Sequence, residues 1–173
     1  NRKSGFVNRV PDNILQGQGI MEVDTIAGGM SKIVNRDIIV QFNILPEEKL
    51  FYGSEELDFD IRIKNSGYKL LVDKNFYLKH RLNFNRLGLP SKTFQKKSNK
   101  AMYREYYSMR NVFYIFYKNN LKSAFIIALL YSFFKQFLRF KYGFSIGIIG
   151  FKIFFLALFH FLTGKMGYRK INI

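Results

Sequence analysis

The stretch Leu50-Phe51-Tyr52-Gly53-Ser54-Glu55-Glu56-Leu57-Asp58-Phe59-Asp60-Ile61-Arg62-Ile63-Lys64-Asn65-Ser66-Gly67-Tyr68 decides how the chain is read. Four acids, at 55, 56, 58 and 60, follow directly on Gly53-Ser54. Ser54 is a suitable N-cap, because a serine hydroxyl accepts a bond from an unpaired backbone N–H of the first turn. Glu55 and Glu56 then fall where the positive end of the helix dipole favours carboxylates. Asp58 and Arg62 stand at i,i+4 and face each other on a helix. Gly67 occupies the place of a left-handed residue beyond a helix C-terminus. Leu57, Phe59, Ile61 and Ile63 supply packing contacts. The pattern predicts a helix over residues 55–66.

Working outward, residues 1–20 are rich in turn formers and read as loop. Residues 21–27 alternate and read as a strand, broken by Gly28-Gly29, with 30–34 a possible resumption. Asn35 or Asp37 can cap a short helical turn through Phe42, and residues 43–53 form a loop with a short buried Leu50-Phe51-Tyr52 run. Beyond the acidic helix, residues 68–72 and 76–79 read as two short strands around the turn Asp73-Lys74-Asn75, the second ending at His80. Residues 81–100 are polar, basic and irregular, and helical patterns follow over 101–118, 121–141 and 145–162. The expected domains are 1–90, a linker over 91–100, and a helical basic and aromatic region over 101–173.

Charge divides the chain in the same way. Residues 1–90 hold 13 Lys and Arg against 11 Asp and Glu, a net of +2. Residues 91–173 hold 15 against one acid, Glu105, a net of +14. Such a surplus faces something negative, such as anionic lipid or nucleic acid. There is no cysteine, which excludes disulfides, cysteine-based zinc sites and thiol catalysis. The first 20 residues are polar and carry no signal-peptide core.

Three placements are open for the tail helices: lying in the interface of an anionic membrane, crossing it, or packing as a soluble bundle. A span needs about 20 mostly apolar residues. Residues 142–162 reach that length but place Lys152 mid-way, at a cost of about 3 kcal/mol. Aromatic residues beside Lys and Arg suit the interface best, which predicts a peripheral protein on the cytoplasmic face of the cell membrane.

The candidate chemical residues read as follows. Four acids at a helix start are commonly a solvated cap; the functional reading is a carboxylate that follows Gly53 into a cleft and acts as a general base. His80 is either a structural histidine or a metal ligand in need of carboxylate partners. Gly28-Gly29 is either a turn or a place of close substrate approach. No phosphate-cradling P-loop or dinucleotide loop is present.

Over roughly residues 20–118 the chain resembles the family 2 glycosyltransferases, particularly the rhamnosyltransferase-like and galactofuranosyltransferase-like branch. The family pattern is a Phe/Tyr-rich segment, Glu-Asp-x-Asp-x-x-x-Arg, a short helix ending in Gly-Tyr, two strands and a His. Here these are Leu50-Phe51-Tyr52, Glu55 to Arg62, Gly67-Tyr68 and His80. Tyr106-Tyr107-Ser108-Met109-Arg110-Asn111 is similar to a later Tyr-x-x-x-Arg-Asn element, and Gly164-Lys165-Met166-Gly167 to the ends of such enzymes.

The resemblance implies an α/β chain: the C-terminal, acceptor-side part of a GT-A (nucleotide-diphospho-sugar transferase) fold, followed by an all-helical tail. It puts Glu56 on the catalytic base, with Glu55 its acidic neighbour. Gly28, Gly29, Asp58 and Arg62 fall on the acceptor side, Arg110 faces the diphosphate, and His80 joins a divalent metal, Mg²⁺ or Mn²⁺. The implied reaction is inverting transfer from a nucleotide-sugar donor to a glycan, typically lipid-linked, in surface polysaccharide synthesis. Two departures stand out. Glu56 replaces the family's Asp, and no Asp-x-Asp precedes Gly28; Asp58-Phe59-Asp60 lies inside the helix, where residues two apart face different ways. The donor-binding half is therefore expected to lie outside these residues. The competing reading is a catalytically incomplete membrane-binding accessory or remnant module. Nucleic acid is not an expected partner, because the tail aromatics accompany long Ile, Leu and Phe runs.

Overall fold

The computed structural model describes residues 3–6, 8–26, 32–87 and 98–171. Gly28, Gly29 and most of the expected linker lie outside them. The front part runs α1 (Asp12–Leu15), β1 (Ile20–Val23), α2 (Arg36–Val40), α3 (Glu55–Asn65), β2 (Leu70–Asp73) and α4 (Lys74–Asn83). The rear part is α5 (Asn99–Lys118), α6 (Lys122–Phe137), a 3₁₀ turn (Leu138–Tyr142) and α7 (Phe144–Leu162).

The α/β architecture expected from the resemblance does not form. The chain is mostly helical, and among the described residues the only sheet is β1–β2, antiparallel, with Ile20 opposite Asp73 and Val23 opposite Leu70. A GT-A fold needs a broad sheet whose parallel strands are joined by crossovers, and two antiparallel strands are not one.

The strand expected over 76–79 is instead part of α4. Asp73 is not a turn residue there but the N-cap, its carboxylate accepting from the Phe76 N–H at 2.7 Å. Residues 74–83 contain no β-branched side chain, so nothing in their torsional preferences resists helix. His80 consequently sits in the last turn of a helix rather than at a strand end.

α3 is the hub of the front part. Its Ile61 joins Leu50, Ile115, Phe116 and Ala124 in one core, with Leu57 packed against it. Its Ile63 joins Ile38, Ile44 and Leu70 in another, with Phe59 alongside. Asn35 caps α2 by accepting from the Asp37 N–H at 2.9 Å. Gly67 takes φ +86° after α3, the left-handed geometry expected of it.

The rear core brings Met102, Tyr106, Tyr107, Met109 and Phe113 of α5 against Ile153, Phe154 and Ala157 of α7. Two glycines let the α6–α7 hairpin close. A Cβ on Gly150 would sit 2.5 Å from Arg139 Cδ and 2.8 Å from Gln136 Oε1, and one on Gly147 would run into the Phe140 ring.

Two segments, Lys122–Tyr142 and Phe144–Leu162, are long and apolar enough to cross or lie on a membrane. Their outer faces are exposed and apolar: Ile126, Leu130, Phe134 and Phe137 on α6, and Phe144, Ile148, Phe155 and Phe159 on α7.

Candidate functional site

The acids of the front part sort themselves by partner. Asp58 is fully buried and bonds Arg62 Nε at 2.8 Å and Asn119 Nδ2 at 3.1 Å. Arg62 also donates to the Leu45 carbonyl. Asp60 is fully buried and accepts from the Thr25 hydroxyl, the Ile26 N–H and the Lys32 ammonium, each at 2.8 Å. Burying a carboxylate is costly unless it is paired and hydrogen-bonded, and these two are. They tie α3 to the end of α5 and to the segment after β1. Asp58 and Arg62, expected on the acceptor side, are thus joined to each other inside the fold.

Glu55 and Glu56 differ. Among the described residues they are the acids that are neither exposed nor paired with a cation or hydrogen-bond donor. One Glu55 carboxylate oxygen, Oε2, is buried with no partner. Glu56 lines a cavity of about 670 Å³. The other polar walls include Thr25, Arg9 and Arg81, and Met21, Val23, Ile61 and Phe116 form apolar ones. Arg81 is buried and holds Asp12 and the Val10 carbonyl, the latter at 2.7 Å, so the N-terminal segment is strapped over α4 beside the cavity.

The loop that delivers these two acids has an unusual backbone. Tyr52, Gly53 and Ser54 are all left-handed, with φ of 65°, 91° and 73°. For Tyr and Ser that region costs about 1–2 kcal/mol each and persists only where surroundings impose it. The imposing group is Asn111 of α5, whose Nδ2 donates to the Phe51 carbonyl at 3.0 Å and the Gly53 carbonyl at 2.9 Å. Ser54 occupies the N-cap position of α3 with a left-handed backbone, not the extended one usual for a cap, and makes no side-chain capping bond. The expected hydroxyl cap does not form; the clamp from α5 instead fixes the entering loop through its carbonyls.

Arg110, next to that clamp, is fully buried. Its guanidinium reaches Asn111 Oδ1 at 3.2 Å, the Lys165 carbonyl at 3.2 Å and the Tyr106 hydroxyl at 3.3 Å, and lies 4.9 Å from the Tyr107 ring centre. Tyr107 in turn bonds the Arg169 carbonyl at 2.7 Å, and the Gly167 N–H bonds the Lys49 carbonyl at 2.9 Å. Arg110 thus locks the C-terminal segment and the 51–54 loop onto α5, and it is not among the cavity walls.

His80 does not join Glu56. Tyr77 and Arg81 of α4 face the cavity, whereas the His80 ring packs at a tilt against Phe84 with centroids 4.6 Å apart. Among the described residues no three His, Cys, Asp or Glu side chains gather where they could share an ion. The described residues around Glu56 and His80 thus bring together no ligand set for Mg²⁺ or Mn²⁺.

Of the residues singled out from the sequence, the structure joins Glu56 to a cavity and Asp58 to Arg62, and it keeps Arg110 and His80 away from both. Gly28 and Gly29 lie outside the described residues. Sequence reasoning assigned no role to Asn111, Arg81 or Thr25. Asn111 carried a legible signal: a small amide inside an otherwise aromatic helix.

No family model, curated protein or solved structure matches this chain.

Proposed function

We propose that this chain is the acceptor-side, membrane-docked part of an inverting glycosyltransferase in which Glu56 is the general base. The observation that carries the proposal is the Glu56 carboxylate itself: sheltered, without a protein partner, and on the wall of a cavity. The fully buried carboxylates of α3, Asp58 and Asp60, are committed to the fold, whereas that of Glu56 is left to accept a proton from a ligand. An acceptor hydroxyl in the cavity gives its proton to Glu56 as its oxygen bonds the anomeric carbon of the sugar. The bond from that carbon to the diphosphate breaks, and its electron pair leaves with the nucleoside diphosphate. A positioned base contributes about 10²–10⁴-fold to such a step. The nucleotide-sugar is held by groups other than the residues described here.

The tail supplies the location. α5 packs along both α6 and α7 and carries the buried Glu105, Arg110 and Asn111. Were α6 and α7 to cross a bilayer, these groups would enter hydrocarbon with them, which is costly. The hairpin therefore lies in the interface, with Phe134 and Phe155 toward the acyl chains and α5 toward the cytoplasm. A net of +14 over residues 91–173 suits the anionic cytoplasmic leaflet.

One observation favours the accessory reading: the two-stranded sheet offers no nucleotide-binding platform among the described residues. Membranes bearing the complete protein, offered labelled nucleotide-sugars, distinguish the two. Label entering lipid-linked glycan supports the transferase. Membrane binding without transfer from any donor supports the accessory module and contradicts the proposal.

A further inference from the structure

A second cavity, of about 550 Å³, lies between α5, α6 and the N-terminal segment. That size falls within the range of about 300–1,000 Å³ typical of small-molecule sites. Its floor is apolar, formed by Met109 and Val112 of α5 and Ile127 and Ala128 of α6. Its rim is polar and basic, with Arg104 and Ser108 on one side and Lys135 on the other.

The rim carries surplus positive charge. Glu105 is the one acid there, and it is held by the buried Arg139 on one oxygen and by Lys135 at 3.1 Å on the other. One carboxylate, Glu105, thus stands against both Arg139 and Lys135, and the exposed Arg104 adds a further positive charge; it rests over the Tyr52 ring at 5.3 Å with no carboxylate among the described residues. An apolar floor below a basic rim matches an amphiphile with an anionic head. The exposed stripe Ile126, Leu130 and Phe134 runs along the same α6, so the groove opens next to the surface that meets lipid. The groove also abuts the Glu56 cavity: Gly5, Phe6 and Phe116 line both.

We infer that this groove binds one molecule of a phosphate-bearing membrane lipid, its head on Arg104 and Lys135 and its chain over Met109, Val112, Ile127 and Ala128. Only the role of that lipid as carrier of the acceptor rests on the glycosyltransferase reading; the binding itself rests on the groove.

Dodecyl phosphate, dodecanol and inorganic phosphate are offered to the full chain in detergent, and bound adducts are counted by native mass spectrometry. Dodecyl phosphate is expected to bind one to one, and the other two about tenfold more weakly, since each lacks half of the recognition. Arg104→Glu and Ser108→Trp, both at exposed positions, are each expected to lower dodecyl phosphate occupancy about tenfold. Lys170→Glu, on the C-terminal segment, is expected to leave it unchanged. Equal binding of dodecanol, or full occupancy in both Arg104→Glu and Ser108→Trp, overturns the site. Dodecyl phosphate retained by a protein whose Glu56→Gln form still transfers sugar at the full rate overturns the base assignment and leaves the groove standing. Loss of the groove with Glu56 still essential does the reverse.

Discussion

Asn111 Nδ2 donates across 2.9 Å to the carbonyl oxygen of Gly53, the middle residue of three in the left-handed region. A side chain in the middle of α5 thereby sets the backbone from which Glu55 and Glu56 start α3. The site is held by a helix 58 residues further along the chain.

Removing that amide tests the clamp. Asn111→Leu keeps the approximate volume and leaves two carbonyls, of Phe51 and Gly53, without their donor. Leaving polar groups unpaired costs roughly 1–3 kcal/mol when they are buried, and these two carbonyls are only partly buried, so the expected loss is about 1–3 kcal/mol in a urea melt. Hydrogen exchange should quicken in the first turn of α3 before the rest of the helix, because the strained loop relaxes first.

Burial pushes the Glu47 carboxyl up, but hydrogen bonds from Lys118 and the Lys49 N–H outweigh it and hold the group below its ordinary 4.5. A depressed carboxyl stabilises the fold above its unfolded pKa, and that contribution fades as pH falls through the folded value. Tyr114 shows the opposite sign: burial, then the nearby Glu47 charge, raises it from 10.0 to about 12. Its contribution is present below pH 10 and fades as pH rises through about 12. Glu47→Gln should therefore cost roughly 1 kcal/mol near neutrality, and the gap to wild type should narrow on acidification. Urea midpoints of both proteins across pH measure this.

The α6–α7 hairpin depends on the absence of a side chain at 150. Gly150→Val would drive atoms into Arg139 and Gln136, both buried against α7. Overpacking of this kind costs about 1–3 kcal/mol. The thermal midpoint should fall, whereas Ile148→Ala, at an exposed position two residues away, should barely move it.

Much of this was legible in the sequence, and the misses have physical causes. The α3 boundaries, the Asn35 cap and the three tail helices follow from local pattern, and local pattern is what they depend on. The error at residues 76–79 arose because Phe76 and Leu78 alternate over too short a run to separate strand from helix. Asp73 then decided it, since a cap and a turn favour the same residue. The sheet fell short of an α/β fold because, among the described residues, no third strand joins β1 and β2. The left-handed Ser54 and the burial of Arg110 were not readable, since both depend on contacts across 50 or more residues.

Membrane docking by the exposed stripes is open to direct measurement. Phe134→Asp with Phe155→Asp places two charges on the outer face, at residues 60% and 55% exposed. The double variant should melt like wild type yet fail to float with vesicles containing anionic lipid. Raising salt to about 1 M shortens the screening length from about 10 to 3 Å. That should weaken wild-type binding only in part, because apolar insertion is insensitive to screening.

The central claim is that Glu56 takes the acceptor proton. Its most direct test is sugar transfer by membranes carrying the complete protein with Glu56→Gln, beside wild type and Glu55→Gln. Glutamine keeps the shape and cannot accept the proton, so transfer should fall about 10²–10⁴-fold with lipid binding and melting unchanged, and Glu55→Gln should lose less. Transfer by Glu56→Gln at the wild-type rate would contradict the account.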